Sequence, residues 1–279
     1  MQVKSESSTK NQIAYTAEKL SGIYTKLLDR EVEVELFLPP EAHSSEKKYA
    51  LLLLNDGQDN ASVRVKETVE RLTSEGLINE IIVAGVRAGD RMQEYGVASK
   101  PDYLKRGLKA KAYTKYIVSE LIPYLLYKYP VDPSPSQHAI AGYSMGGLSA
   151  MDIAWNHPEV FNKVGVFSGA MWWRKRDSKS RFYSDNRDRI MHQQIRNGKL
   201  KPGLKFWFQT GTQDERSDRN KNGVIDSIDD TLDLIVELTK KGYRPFHDIQ
   251  YLELKDGKHS PETWADAMPY FLKWAFSKS

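Results

Sequence analysis

The sequence predicts an α/β domain with a mainly parallel central sheet and helices on both faces. Three observations carry this. Tyr49–Leu54 and Ile81–Val86 are solid apolar runs, the pattern of strands buried on both faces. From Tyr49 onward, strand-like runs alternate with helix-like periodicity, the order that lays parallel strands side by side with crossover helices. The third is a strand, a sharp turn and a helix centred on Gly142–Gly147. With 279 residues, 40% of them hydrophobic, the chain is long enough for one large domain with its own core.

In chain order, residues 1–20 read as a polar N-terminal segment, the first twelve residues frayed, and 21–279 as a single domain without internal repeats. Ser21–Leu28 and Glu31–Leu38 form a strand pair. In the second strand Val32, Val34 and Leu36 alternate with glutamates, as on a half-exposed antiparallel strand, and Pro39-Pro40 ends it. The strand Tyr49–Leu54 ends in the loop Asn55-Asp56-Gly57-Gln58. Val65–Glu75 reads as a helix, Ile81–Val86 as a strand and Arg87–Lys109 as a polar loop. Ala112–Tyr127 reads as one long amphipathic helix despite Pro123. Lys163–Phe167 is the strand after the central turn and its helix. Residues 174–203 are basic and poorly periodic, a lid-like insertion with a short helix near Ile190–Ile195. Leu204–Gln209 is a strand, Asp229–Lys241 a helix stopped by Gly242, His247–Leu254 the last strand and Pro261–Phe276 the last helix.

Composition excludes several classes. Charged residues are 28% of the chain but the net charge is only +4, and no long basic block marks a nucleic-acid partner. With no cysteine there is no disulfide, thiolate zinc site or cysteine nucleophile. No apolar run reaches membrane-spanning length. The opening residues lack the apolar core of a signal peptide. The sequence as written is expected in the cytoplasm, and in the periplasm or outside the cell if a signal was removed.

Gly142-Tyr143-Ser144-Met145-Gly146-Gly147 reads G-x-S-x-G between an apolar strand and a helix-prone run, the context of a nucleophile elbow. Glycines beside the serine relieve the crowding of so tight a turn, and the helix N-terminus beneath it can face a developing oxyanion. A serine nucleophile needs a base, and the base needs an orienting acid, in the chain order serine, acid, histidine. His259, in Lys255–Pro261 between the last strand and last helix, suits the base. His247 opens a strand, and the four remaining histidines precede the acid. Asp214 in Thr210-Gly211-Thr212-Gln213-Asp214-Glu215 suits the acid, with Glu215 as the other candidate. The alternative for both is a solvated loop acid. Backbone N–H groups of Met145 and of either Gly57 or Gln58 are expected to form the oxyanion hole.

Asp218-Arg219-Asn220-Lys221-Asn222-Gly223-Val224-Ile225-Asp226-Ser227-Ile228-Asp229 has the spacing of an EF-hand or dockerin-type calcium loop. Side chains of Asp218, Asn220, Asn222, Asp226 and Asp229 and the Val224 carbonyl would hold a structural Ca2+ that stiffens the loop carrying Asp214. The alternative is an Asn/Gly turn followed by a capped helix.

Together these residues resemble the putative-esterase family of α/β-hydrolases, which includes ferric-siderophore (enterobactin-type), feruloyl and acetyl-xylan esterases, S-formylglutathione hydrolases and mycolyltransferases. The resemblance runs from about residue 20 to near the end. It rests on the strand ending Leu38-Pro39, on Asn55–Gln58 and on Arg91-Met92-Gln93-Glu94-Tyr95. It continues through Gly142–Gly147, Val164–Ser168 with Trp172-Trp173, Gly211–Asp214, and His259 before Trp264. It implies an α/β-hydrolase fold and favours Gln58 as the second oxyanion donor. It implies that Trp172 and Trp173 wall the substrate pocket, most like the siderophore-esterase branch, against the alternative of two core aromatics. It implies that Arg91 and Glu94 brace that pocket, against the alternative of a surface salt bridge. The expected function is a serine esterase acting through an acyl-enzyme on a small-molecule or carbohydrate ester, with no cofactor for catalysis. The alternatives are acyl transfer to a sugar or lipid alcohol, or a non-catalytic binding protein on the same fold.

Overall fold

The computed structural model describes residues 13–44 and 46–278; the expectation for the first twelve residues lies outside these. Eight strands form one sheet in the order β1-β2-β4-β3-β5-β6-β7-β8. β1 (Thr16–Thr25) and β2 (Arg30–Leu38) are antiparallel, and β2 is antiparallel to β4 (Ile81–Val86). From β4 through β3 (Ala50–Asn55), β5 (His138–Tyr143), β6 (Lys163–Phe167), β7 (Lys205–Gln213) and β8 (Ile249–Lys258) every pair is parallel. The first strand begins at Thr16, ahead of Ser21, because Thr16–Leu20 pair with Val34–Leu38. The register slips between Leu20 and Ile23, and Leu28 falls in the turn.

The helices are α1 (Val65–Ser74), α2 (Arg91–Glu94), α3 (Ala110–Tyr116), α4 (Ile122–Lys128), α5 (Met145–Asn156), α6 (Asp185–Asp188), α7 (Ile190–Asn197), α8 (Asp226–Lys241) and α9 (Pro261–Phe276). The long helix expected over Ala112–Tyr127 is α3 and α4 joined by a π turn at Ile117–Leu121. Pro123 explains the break. It has no N–H to donate and its ring crowds the preceding turn, so the backbone widens there instead of ending.

Alternating residues of the buried strands supply two cores. Leu51, Leu53, Ile82, Ala84, Ile140, Val164, Phe206 and Phe208 pack on one face with α3, α5, α7 and α8. Leu52, Leu54, Ile81, Val83, Ala139, Tyr143, Phe167 and Trp207 pack on the other with α1 and α9. Burial of both faces explains the unbroken apolar runs of the sequence. From Met145 to Trp155 every residue of α5 is buried, which holds the helix behind Ser144 rigidly against the sheet.

Within the expected lid-like insertion, α7 packs onto this core. Ile190, Met191 and Ile195 of α7 are buried. Arg189 donates to Asp230 and Asp233 of α8, and Gln194 donates to Asp152 of α5, each at 2.6 Å. In the stretch before α6, by contrast, Phe182 is exposed.

Candidate active site

Four parallel strands deliver the candidate residues to one edge of the sheet. Asp56 follows β3, Ser144 follows β5, Asp214 follows β7 and His259 follows β8. Carboxyl ends of strands are where open α/β sheets place their ligands. The last two strands run further than the sequence predicts, to Gln213 and Lys258, which pair with each other. Their extra residues are polar or glycine and carry no apolar run. Asp214 and His259 are therefore each the first residue beyond a strand end. His247 lies before β8 rather than in it, bonded to Asp248 at 2.7 Å.

Ser144 has φ 53° and ψ −117°, a strained conformation for a side-chain-bearing residue. Its backbone is clamped by β6: Ser144 N–H donates to the Phe167 carbonyl at 2.9 Å, and Ala170 N–H donates to the Ser144 carbonyl at 3.1 Å. The surrounding glycines are compulsory. A Cβ on Gly142 would lie 2.5 Å from the Gly146 backbone, and one on Gly146 would lie 2.4 Å from Asp56 Oδ2.

The turn after β3 leans on this elbow. Asn55 Nδ2 donates to the Gly146 carbonyl at 2.8 Å. Arg91 donates to both oxygens of buried Asp56, at 2.8 and 3.1 Å, and to the Tyr143 carbonyl at 3.0 Å. Asp56 has φ 62° and leads into a single 3-10 turn, Gly57–Asp59. The Gln58 side chain donates to Asp56 Oδ1 at 2.9 Å and accepts from Ala88 N–H at 3.3 Å, which fixes its backbone. Met145 and Gln58 both stand in the first turn of a helix, where N–H groups lack an acceptor within the helix.

Asp214 accepts from Ser168 Oγ at 3.0 Å and from Gly211 N–H at 2.9 Å. Its burial pushes its pKa up, against these two hydrogen bonds and the pull of His259. Glu215 interacts instead with Asp226 and Asp230, away from His259. His259 keeps an exposed edge while its ring meets Trp264 edge to face at 5.4 Å. The protein packed around it lowers its pKa, Asp214 raises it, and Arg91 lowers it further; the net shift is down. This shift favours the neutral ring that a base needs at neutral pH. Among the described residues no hydrogen bond joins His259 to Asp214 or Ser144, and the interaction with Asp214 is through space. Such contacts commonly tighten only around substrate.

Other expected pocket residues part company. Trp173 is fully buried, its indole N–H donating to the Lys100 carbonyl at 3.3 Å and its ring set against Gly96 and Gly107. It is a core residue and walls no pocket. Trp172 is half-buried, with the Arg106 guanidinium 4.7 Å above its ring. Glu94 is buried and held by Arg30 at 2.7 Å, so it braces the Arg87–Lys109 loop and has no surface to offer a substrate. Sequence alone does not pair Asp56 with Arg91, Ser168 with Asp214, or Trp264 with the Ser168 hydroxyl. The only signal for Ser168 was its place at the end of an apolar strand.

In the calcium-like loop the expected ligands bond one another and Arg219. Asp226 accepts from Arg219 N–H at 2.9 Å and pairs with the Arg219 guanidinium at 3.1 Å. Asn220 and Asn222 turn their amide nitrogens to Asp229 Oδ2, at 2.8 Å each, and Asp218 accepts from the N–H groups of Asn222 and Gly223. Val224 uses its N–H on Asn222 Oδ1. Among the described residues no group of three or more His, Asp or Glu side chains could hold a metal. A structural Ca2+ at this loop finds no support, because Arg219 already neutralises the carboxylate expected to complete its shell.

The profile of the putative esterase family matches residues 25–275. The chain belongs to that family. Solved structures with the same fold include a ferulic acid esterase, with TM-score 0.69 and 21% identity over 95% of this chain and 97% of that one. The enterobactin esterase of Shigella flexneri superposes with TM-score 0.69 and 20% identity over 93% of this chain and 59% of that one. An IroE-like serine hydrolase from Shewanella oneidensis gives TM-score 0.69 and 17% identity over 94% and 80%. These likenesses show the α/β-hydrolase fold. A 142-residue stretch, 50% of the chain, is 25% identical to the uncharacterized protein YbbA of Bacillus subtilis, and a stretch of that length is 27% identical to YjcH. These matches span 56% and 57% of those two proteins, so the chain spans little more than half the length of the curated relatives it matches. Among the described residues no helix is long and apolar enough to cross a membrane.

Proposed function

We propose that this chain is a serine esterase that cleaves a carboxylic ester through an acyl-enzyme. The reading is carried by one observation: a strained Ser144, Asp214 and His259 are each the first residue beyond a strand at the same edge of the sheet. Ser144 Oγ attacks the ester carbonyl as His259 takes its proton, and Asp214 stabilises the resulting imidazolium. N–H groups of Met145 and Gln58 hold the oxyanion of the tetrahedral intermediate. Its collapse expels the alcohol, which takes the proton from His259, and leaves Ser144 acylated. Water, deprotonated by His259, attacks the acyl carbonyl, and collapse of the second tetrahedral intermediate releases the acid as Ser144 Oγ takes the proton back from His259. Every proton in this cycle is carried by the chain's own residues or by water, and no cofactor enters.

The proposed substrate is a small-molecule or carbohydrate ester. Two neighbours in fold are named for ferulic acid and for enterobactin, and the half-buried Trp172 stands two residues after Ala170, whose N–H holds the Ser144 carbonyl. A panel of aryl acetate, feruloyl, acetylated-xylan, formylglutathione and catecholate-trilactone esters tests this. Turnover of at least one, lost in Ser144→Ala, is the expected result. No turnover of any ester would overturn it.

A further inference from the structure

Ser168 has no assigned part in the cycle above, yet it is built like a functional residue. It follows β6, is 2% exposed, and has φ 43°, a left-handed conformation that serine adopts only when its surroundings impose it. This reversal lets Phe167 and Ala170, on either side of it, grip the N–H and carbonyl of Ser144. Its N–H is itself tied to the Gln209 carbonyl on β7 at 2.8 Å. Its hydroxyl donates to Asp214 Oδ1 at 3.0 Å and accepts from the indole N–H of Trp264 at 3.1 Å. The indole is fixed in turn. Its face stacks on Tyr143, the residue before Ser144, with ring centroids 4.9 Å apart and planes at 15°, and it meets His259 edge to face.

We propose that Ser168 and Trp264 are positioning residues that orient the acid and base of the triad, with Trp264 acting on Asp214 through the Ser168 hydroxyl. This rests on the reading of Ser144, Asp214 and His259 given above. Gly211 N–H holds one carboxylate oxygen of Asp214 and Ser168 holds the other, so the carboxylate plane is set by two donors from neighbouring strands. A buried hydroxyl with both its donor and acceptor roles used has one orientation and passes the position of the indole to the acid. Neither residue needs to touch substrate; their effect is on the geometry of proton transfer.

The test is a set of variants measured for kcat and KM on one soluble aryl ester, with melting temperature recorded for each. Ser168→Ala should lower kcat roughly 10- to 100-fold, the loss expected when a catalytic group shifts by about an ångström, while KM stays within about twofold. Ser168→Gly removes the same hydroxyl but suits the positive φ, so it separates the hydroxyl from backbone strain and should lose kcat equally. Trp264→Phe keeps an aromatic ring and drops only the N–H. Combined with Ser168→Ala it should cost no more than Ser168→Ala alone. In an Asp214→Asn background, Ser168→Ala should add nothing. Wild-type kcat in Ser168→Gly, or additive losses in the double variants, would overturn the positioning role while leaving the triad reading intact. Wild-type kcat in Asp214→Asn would overturn the triad reading and this inference together.

Discussion

Asp214 and His259 are held opposite one another because the residues just before them, Gln213 and Lys258, are partners in the β7–β8 ladder. The proposed acid and base are therefore set by strand register rather than by the loops that follow. The ladder slips between Gly211 and Gln213, and Asp256 has φ 60°, so both strands bend just before they release these residues.

That close approach makes Gly211 indispensable. A Cβ there would lie 2.3 Å from the Gly257 carbonyl oxygen, backbone that cannot swing aside. Gly211→Ala is expected to push the two strand ends apart, at a cost of about 1–3 kcal/mol in stability. It should also lower kcat, because Gly211 N–H holds Asp214. Denaturant unfolding and steady-state kinetics check both effects.

Two opposite charges act on His259, and their removal should shift its titration in opposite directions. The Asp214 carboxylate raises the pKa of His259 and Arg91 lowers it. Activity needs the neutral ring, so the acid limb of kcat/KM follows this pKa. Asp214→Asn should move that limb to lower pH with a much lower plateau, and Arg91→Met should move it to higher pH. A pH–rate profile of each variant decides. Shifts in the same direction would contradict the assignment.

Arg91→Met should also destabilise the fold. Asp56 is fully buried and its two oxygens depend on Arg91. Breaking such a pair by removing one partner typically costs about 3–5 kcal/mol. Arg91 is itself a third exposed, so about 3 kcal/mol is the expected loss in urea or guanidinium unfolding.

His192 should make the protein acid-sensitive. It is fully buried in α7, and burial holds its pKa well below the usual imidazole value. Below about pH 6.5 the unfolded chain binds a proton there that the folded chain refuses, so stability falls as pH drops, by up to about 1.4 kcal/mol per unit. His192→Gln keeps an N–H for the Asp230 carbonyl, which His192 Nε2 meets at 2.8 Å, and removes the titration. Its stability should fall less steeply between pH 6.5 and 5 than that of the wild type in the same buffers.

The elbow was legible from sequence because close packing forces it: Gly142, Gly146 and Gly147 each have a neighbour where a Cβ would sit. The mainly parallel sheet was legible because strands buried on both faces leave continuous apolar runs. The ends of β7 and β8 were not, since Thr210, Gly211 and Gln213 owe their extended form to pairing with Glu253, Leu254 and Lys258 and not to apolar pattern. Nor could the sequence separate Trp172 from Trp173. Adjacent aromatics alternate in exposure, and Trp173 is the inner one only because Gly96 and Gly107, far away in the chain, leave room for its ring. The calcium-like spacing goes unsupported for a similar reason. Arg219 occupies a position the motif leaves free, and only the fold brings Asp226 and Asp230 to it.

The reading stands most directly on Ser144. Reaction of the intact protein with a fluorophosphonate, followed by peptide mapping, should find the label on Ser144 alone. Ser144→Ala should lose both labelling and aryl-ester hydrolysis while melting within a few degrees of the wild type. A Ser144→Ala protein that still labels and still turns over ester would contradict it.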